Sequence, residues 1–174
     1  MKKLLLSIFG ILGISLSGAP IKEGQQAYNF KLYSDQGKLV RLSDYKGKWV
    51  VLYFYPKADT PGCTAQAKEY SNLIESFRKV NAEVFGISTD SVESIRKFKE
   101  KYGFKITFLS DPKGEVAKAY GVRVILGFCS RDTILINPEN NVEKIYRGVD
   151  PSADAKRVLE YIKRLNGLHK PYRL

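Results

Sequence analysis

The pattern of apolar and polar positions divides the chain into alternating strands and helices. From Trp49 to Tyr55 the run WVVLYFY is continuous, β-branched and aromatic, which predicts a central strand buried on both faces. Pro56 stops it, because proline cannot extend a ladder of hydrogen bonds. Across residues 62–80, Tyr70, Leu73, Ile74 and Phe77 recur at helical spacing among Lys68, Glu69, Glu75 and Arg78, which predicts one helix. Glu83 to Ser88, with Val84, Phe85 and Ile87, reads as a second buried strand. Asp90 or Ser91 caps the next helix, whose Val92, Ile95, Phe98 and Tyr102 share one side and which Gly103 ends. Ile106 to Leu109 reads as a short strand, Asp111 to Gly114 as a turn and Val116 to Tyr120 as a short helix.

The flanks complete the pattern. Asn29 to Tyr33 and Lys38 to Leu42 are short strands around Ser34-Asp35-Gln36-Gly37, an N-terminal β-hairpin. Arg131 to Asn137 (RDTILIN) reads as a strand, Pro138 to Asn141 as a turn and Val142 to Gly148 as the hairpin partner. A last helix, from about Ser152 to Leu165 and capped by Asp150 or Ser152, sets Ala155, Val158, Leu159, Ile162 and Leu165 on its apolar face. Strands alternating with helices predict an α/β fold with a mixed central sheet flanked by helices. The domain is expected over 29–166, with a linker at 20–28 and a tail at 167–174.

The beginning of the chain has a different character. Lys2 and Lys3 precede an apolar run from Leu4 to Leu16, and Ser17-Gly18-Ala19 supplies small residues before Pro20. This layout predicts a signal peptide or an N-terminal membrane anchor over residues 1–19, and hence an exported protein.

Composition narrows the class. A hydrophobic share of 44% in 174 residues suits one globular domain and excludes a disordered chain. The net charge of +11 comes from 29 basic and 18 acidic residues. These are spread along the chain in mixed clusters such as Lys99-Glu100-Lys101, the pattern of a solvated basic surface. Such a surface attracts anions nonspecifically, but no motif points to a specific nucleic-acid partner. Cys63 and Cys129 are the only cysteines, too few to staple a chain of this length. There is no C-x-x-C or zinc-ligand spacing, and the single histidine, His169, reads as a surface residue. Neither a metal nor a cofactor is expected.

Chemistry concentrates in the loop after the central strand, Pro56-Lys57-Ala58-Asp59-Thr60-Pro61-Gly62-Cys63-Thr64. Sites in open α/β sheets lie where strands end and helices begin. Cys63 falls at a helix start, where unpaired amides and the macrodipole favour a thiolate. Its pKa is therefore expected below the ordinary value of about 8.5, which makes it a nucleophile. Thr60, three residues earlier, can donate to that thiolate or hold a substrate oxygen. Taken alone, a lone cysteine at such a place is as readily a buried structural thiol.

The stretch FYPKADTPGCT, Phe54 to Thr64, closely resembles the peroxidatic motif of peroxiredoxins, P-x-x-x-(T/S)-x-x-C, with Pro56, Thr60 and Cys63 in its fixed positions. The surrounding YP and TPGCT are similar to the bacterioferritin-comigratory, or Q-type, subfamily. The likeness covers nearly all of residues 25–165 and includes Arg131 in RDTILINP, where the family carries a catalytic arginine on a strand. The resemblance implies a thioredoxin-like fold and thiol-dependent reduction of hydrogen peroxide and organic hydroperoxides, protecting against oxidative stress. It assigns Cys63 as the nucleophile that becomes a sulfenic acid. Arg131 would hold the thiolate and the charge developing on oxygen. Thr60 and the Cys63 amide would orient the peroxide, and Pro56 would shield the sulfur.

One feature of the subfamily is missing. Its members often carry a resolving cysteine five residues after the first, and here that position is Lys68. Cys129 is the remaining candidate, two residues before Arg131 and on the same face if both lie in one strand. The alternatives are an intramolecular Cys63–Cys129 disulfide and a one-cysteine cycle completed by an outside thiol. The expected partners are a hydroperoxide and a thioredoxin-like or small-thiol reductant, with the protein a monomer or homodimer. Two other functions compete. An exported thiol–disulfide oxidoreductase would be expected to carry C-x-x-C, and a non-catalytic binding module leaves the Pro56–Thr60–Cys63–Arg131 set without a role.

Overall fold

The computed structural model describes residues 21–168; the expected signal or anchor, and His169, lie outside them. Seven strands form one mixed sheet. In chain order they are β1 (Lys31–Ser34), β2 (Leu39–Arg41), β3 (Trp49–Phe54), β4 (Ala82–Ser88), β5 (Thr107–Ser110), β8 (Thr133–Ile136) and β9 (Val142–Tyr146). Their spatial order is β2-β1-β5-β4-β3-β8-β9. The pairs β3/β4 and β4/β5 are parallel, while β1/β2, β1/β5, β3/β8 and β8/β9 are antiparallel. The expected mixed sheet and N-terminal hairpin are both present.

The central strand is where the hydrophobic run placed it. All six residues of β3 are buried, and alternation sends them to opposite faces. Trp49, Val51, Tyr53 and the following Tyr55 enter one core, with side chains of α1 (Pro61–Asn72), α2 (Ile74–Lys79), α3 (Val92–Tyr102) and α5 (Asp154–Leu168). Val50, Leu52 and Phe54 enter the other, with Ala117 of α4 (Glu115–Ala119), Tyr120, Leu42 and the N-terminal Ile21, Ala27 and Phe30.

Several boundaries differ from the sequence reading. The single helix expected over 62–80 is two, broken at Leu73; no proline or glycine marks the break, so the apolar periodicity runs through it. Residues 21–28, expected as a linker, are packed in. Ile21 and Ala27 are buried, Gly24 N donates to Val142 O, and Val142 N donates to Gln25 O. Helix α5 continues to Leu168, past the expected domain end at 166. Ser91 rather than Asp90 caps α3, its Oγ accepting from Ser94 N, and Gly103 ends that helix at φ 66°, as a left-handed cap favours glycine.

The region from 124 to 132 departs furthest. The strand expected over 131–137 begins only at Thr133, so Arg131 precedes it. Cys129 belongs instead to a separate two-stranded ribbon, β6 (Val124–Ile125) paired with β7 (Phe128–Cys129). Asp132 holds the intervening segment, its carboxylate accepting from Arg147 Nη1 and Gly148 N. No helix among the described residues is long and apolar enough to cross a membrane.

Candidate active site

Where β3 ends, Pro56 turns the chain into a loop that delivers Cys63 to the first turn of α1. Thr60 is the N-cap residue in extended conformation, and Pro61 opens the helix, where its missing N–H costs no intrahelical bond. Three contacts pin the loop. Ala58 N donates to Asp90 Oδ2 at 2.8 Å. The Asp59 carboxylate accepts from Lys101 Nζ at 2.7 Å and from Tyr102 OH at 2.6 Å. These two donors hold the Asp59 carboxyl below its ordinary pKa. Asp59 itself takes a left-handed φ of 59°, a conformation that aspartate tolerates better than most residues.

Cys63 is almost wholly buried, 1% exposed. Arg131 Nη2 lies 3.5 Å from its Sγ, while Arg131 Nη1 donates to Gln66 Oε1 at 2.8 Å. The guanidinium reaches the sulfur because β3 and the segment before β8 are tied together: Phe54 N donates to Asp132 O. Gly62 leaves it room, since a Cβ there would stand 3.1 Å from Arg131 Nη2 and displace the guanidinium by a few tenths of an ångström. A permanent positive charge and a helix N-terminus thus face one sulfur.

The hydroxyl of Thr60 donates to Lys57 O at 2.8 Å. Its proton is therefore committed to the loop and not to the thiolate, which leaves the other expected role, holding a substrate oxygen, to the lone pairs of the hydroxyl. Pro56 is half-buried at the loop's origin.

Cys129 does not join this group. It is buried in the core on the other side of the sheet, with Phe54, Tyr120 and Ile134, whereas Cys63 packs with Tyr53, Tyr70 and Leu135. The same-face expectation failed because the two residues after Cys129 are not strand. Burial, with Asp111, Asp90 and Asp132 nearby, pushes the Cys129 thiol up to about 12, so it is held as the neutral, unreactive form.

Two buried polar neighbours of the site escaped the sequence reading. Gln66 is fully buried beside Cys63, and its Nε2 donates to Asp154 Oδ2 at 3.1 Å. Asp154 is fully buried at the start of α5. The signal for each was a polar residue on an apolar helix face: Gln66 lies three positions after Cys63, and Asp154 lies four before Val158. Among the described residues no cluster of histidine, cysteine or carboxylate groups is arranged to hold a metal.

Comparison with known proteins places the chain in a family. The AhpC/TSA family profile matches residues 23–145. The chain belongs to the AhpC/TSA family of peroxiredoxins. It is 38% identical over 154 residues to peroxiredoxin Bcp of Bacillus subtilis, covering 84% of this chain and 98% of that protein. It is 39% identical over 150 residues to the chloroplastic peroxiredoxin Q of Oryza sativa subsp. japonica, covering 85% and 68%. Among solved structures, a mutant of Xylella fastidiosa PrxQ superposes with a TM-score of 0.81 at 32% identity, covering 86% of this chain and 99% of that one. The bacterioferritin comigratory protein of Xanthomonas campestris, whose structures concern alkyl peroxide reduction, gives 0.74 at 32% identity, covering 78% and 91%. This peroxiredoxin has a thioredoxin-like fold and is a thiol-dependent peroxidase; the alternatives of a thiol–disulfide oxidoreductase and a non-catalytic binding module are not favoured.

Proposed function

We propose that Cys63 is the sulfur that attacks hydroperoxides, with Arg131 and Thr60 completing the site. The observation that carries this reading is the guanidinium 3.5 Å from Sγ at a helix start. The thiolate attacks one peroxide oxygen, an S–O bond forms as the O–O bond breaks, and Cys63 becomes a sulfenic acid. The leaving oxygen departs with the bonding pair and takes up a proton, giving water or an alcohol. Arg131 stabilises the negative charge that grows on oxygen during this step. Thr60 Oγ1, already donating to Lys57 O, accepts from the peroxide hydroxyl and orients it. Pro56 helps to keep water from the sulfur. Alkyl hydroperoxides are among the substrates, a reading supported by the alkyl peroxide reduction described for the Xanthomonas campestris relative.

The cycle closes with a thiol from outside the chain. Lys68 stands where a resolving cysteine is often found in the subfamily, and Cys129 lies in the opposite core. Because Cys63 is buried, the first turn of α1 must open before an incoming thiol reaches the sulfenic acid. Residues 1–19 read as an export signal or membrane anchor, so the reductant is a thioredoxin-like or small thiol outside the cytoplasm. Peroxide consumption with a thiol reductant tests the scheme. Cys63→Ser is expected to lose activity and Cys129→Ser to keep it. A Cys63–Cys129 disulfide in peptide maps of oxidised protein would overturn the one-cysteine cycle.

A further inference from the structure

Asp154 collects four donors at a site closed to solvent. Its Oδ2 accepts from Tyr70 OH at 2.6 Å, Thr133 Oγ1 at 2.7 Å and Gln66 Nε2 at 3.1 Å. Its Oδ1 accepts from Arg157 Nη2 at 3.3 Å. Burial and the neighbouring carboxylate raise the Tyr70 phenol well above its ordinary pKa, so Tyr70 remains a donor. These donors come from α1, β8 and α5, and one of them, Gln66, also touches the guanidinium at the sulfur.

We propose that Asp154 is a positioning residue for the peroxidase reaction: it fixes which way the Gln66 amide points, and through that amide it aims Arg131 at Cys63. The inference rests on the roles given above to Cys63 and Arg131. A glutamine amide has a donor end and an acceptor end of nearly equal shape, and a half-turn exchanges them. An ionised carboxylate only accepts and a guanidinium only donates. With Asp154 on one side and Arg131 on the other, only one orientation satisfies both: NH2 toward Asp154, oxygen toward Arg131. Without the acceptor at 154 the amide is held at one end only, and whenever it turns its NH2 faces the guanidinium. Arg131 would swing away from a sulfur it now meets at 3.5 Å. Displacements of about 1 Å in such groups cost up to about a hundredfold in rate.

Three variants of the full chain separate this role from a purely structural one. Asp154→Leu removes the acceptor on a side chain of the same branching. Asp154→Asn can keep its oxygen toward Tyr70, Thr133 and Gln66 and give up only Arg157, which is half exposed on the surface. Gln66→Glu combined with Asp154→Leu gives Arg131 an acceptor whichever way side chain 66 turns. The readouts are the rate with hydroperoxide, the pH profile of Cys63 alkylation and thermal stability.

Asp154→Leu is expected to lose about tenfold or more in rate and to move the alkylation profile to higher pH. Asp154→Asn is expected to stay near the parent, and the double variant to recover most of both losses. A folded Asp154→Leu with parental rate and profile overturns the proposal. So does a double variant that stays as slow as Asp154→Leu. If Asp154→Leu does not fold, Gln66→Glu alone and Gln66→Glu with Asp154→Asn carry the test. The single variant sets two carboxylates side by side and should be impaired, and the double should recover; equal rates for the two contradict the proposal. Cys63→Ser runs in parallel, because its retention of activity would refute the reading of the reactive sulfur and not the role of Asp154.

Discussion

Arg131 approaches Cys63 from a different part of the chain: 68 positions separate them, yet Nη2 and Sγ stand 3.5 Å apart. The contact exists because β3 is tied to both of the segments that carry them. β3 runs into the loop that delivers Cys63, and its antiparallel partner β8 begins just after Arg131. One guanidinium then serves two neighbours, Gln66 through Nη1 and the sulfur through Nη2.

That division of labour distinguishes arginine from lysine at 131. A single ammonium cannot hold Gln66 and face the sulfur in the same geometry. Arg131→Lys is expected to lower the second-order rate with hydroperoxide by about a hundredfold, the order seen when a preorganised donor is removed. Stopped-flow measurement with the reduced protein checks it.

Thr60 makes a second, independent prediction. Its hydroxyl donates to Lys57 O, which leaves its lone pairs as the part that can meet a ligand at the helix start. Thr60→Val keeps the shape and removes the acceptor, and is expected to slow peroxide reduction by about tenfold or more, while Thr60→Ser stays within about threefold of the parent. Comparing the two separates the hydroxyl from the bulk of the side chain.

Most of the framework was legible in the chain. The run from Trp49 to Tyr55 specified a doubly buried strand because no polar residue interrupts it, and the loop after it gave the place of Cys63. Less legible were features with no local mark. The break at Leu73 lies inside an unbroken apolar period. The ribbon holding Cys129 is two residues per strand, too short for alternation to register. Gln66 and Asp154 were visible only as polar residues on apolar faces, and their link crosses 88 positions, a pairing that tertiary packing alone decides.

Packing gives a stability prediction away from the site. Gly86 of β4 lies under Tyr53, and a Cβ there would come within 2.7 Å of the Tyr53 ring and hydroxyl and 2.9 Å of Phe108. Both rings are fully buried and have no room to retreat. Gly86→Ala is expected to destabilise the fold by about 1–3 kcal/mol, the range for overpacked cores, as read by denaturant unfolding.

Cys129 makes a prediction about pH. Burial, with three carboxylates nearby, pushes its thiol from the ordinary value of about 8.5 up to about 12. As pH climbs past 9 the unfolded chain releases this proton while the folded chain keeps it, so the unfolded state gains and stability falls with rising pH. Cys129→Ser removes that contribution. Between about pH 8.5 and 9.5, below the ordinary tyrosine range, the variant should lose less stability than the parent, as followed by chemical denaturation at each pH.

Every role proposed for Arg131, Thr60 and Asp154 requires the sulfur of Cys63 to accept oxygen from a peroxide. Reduced protein given a stoichiometric amount of hydroperoxide in the presence of dimedone, then digested and mapped by mass spectrometry, tests this directly. The predicted result is a dimedone adduct on the peptide containing Cys63 and none on that containing Cys129. Peroxide consumed with Cys63 unmodified, or the adduct found at Cys129, would contradict it.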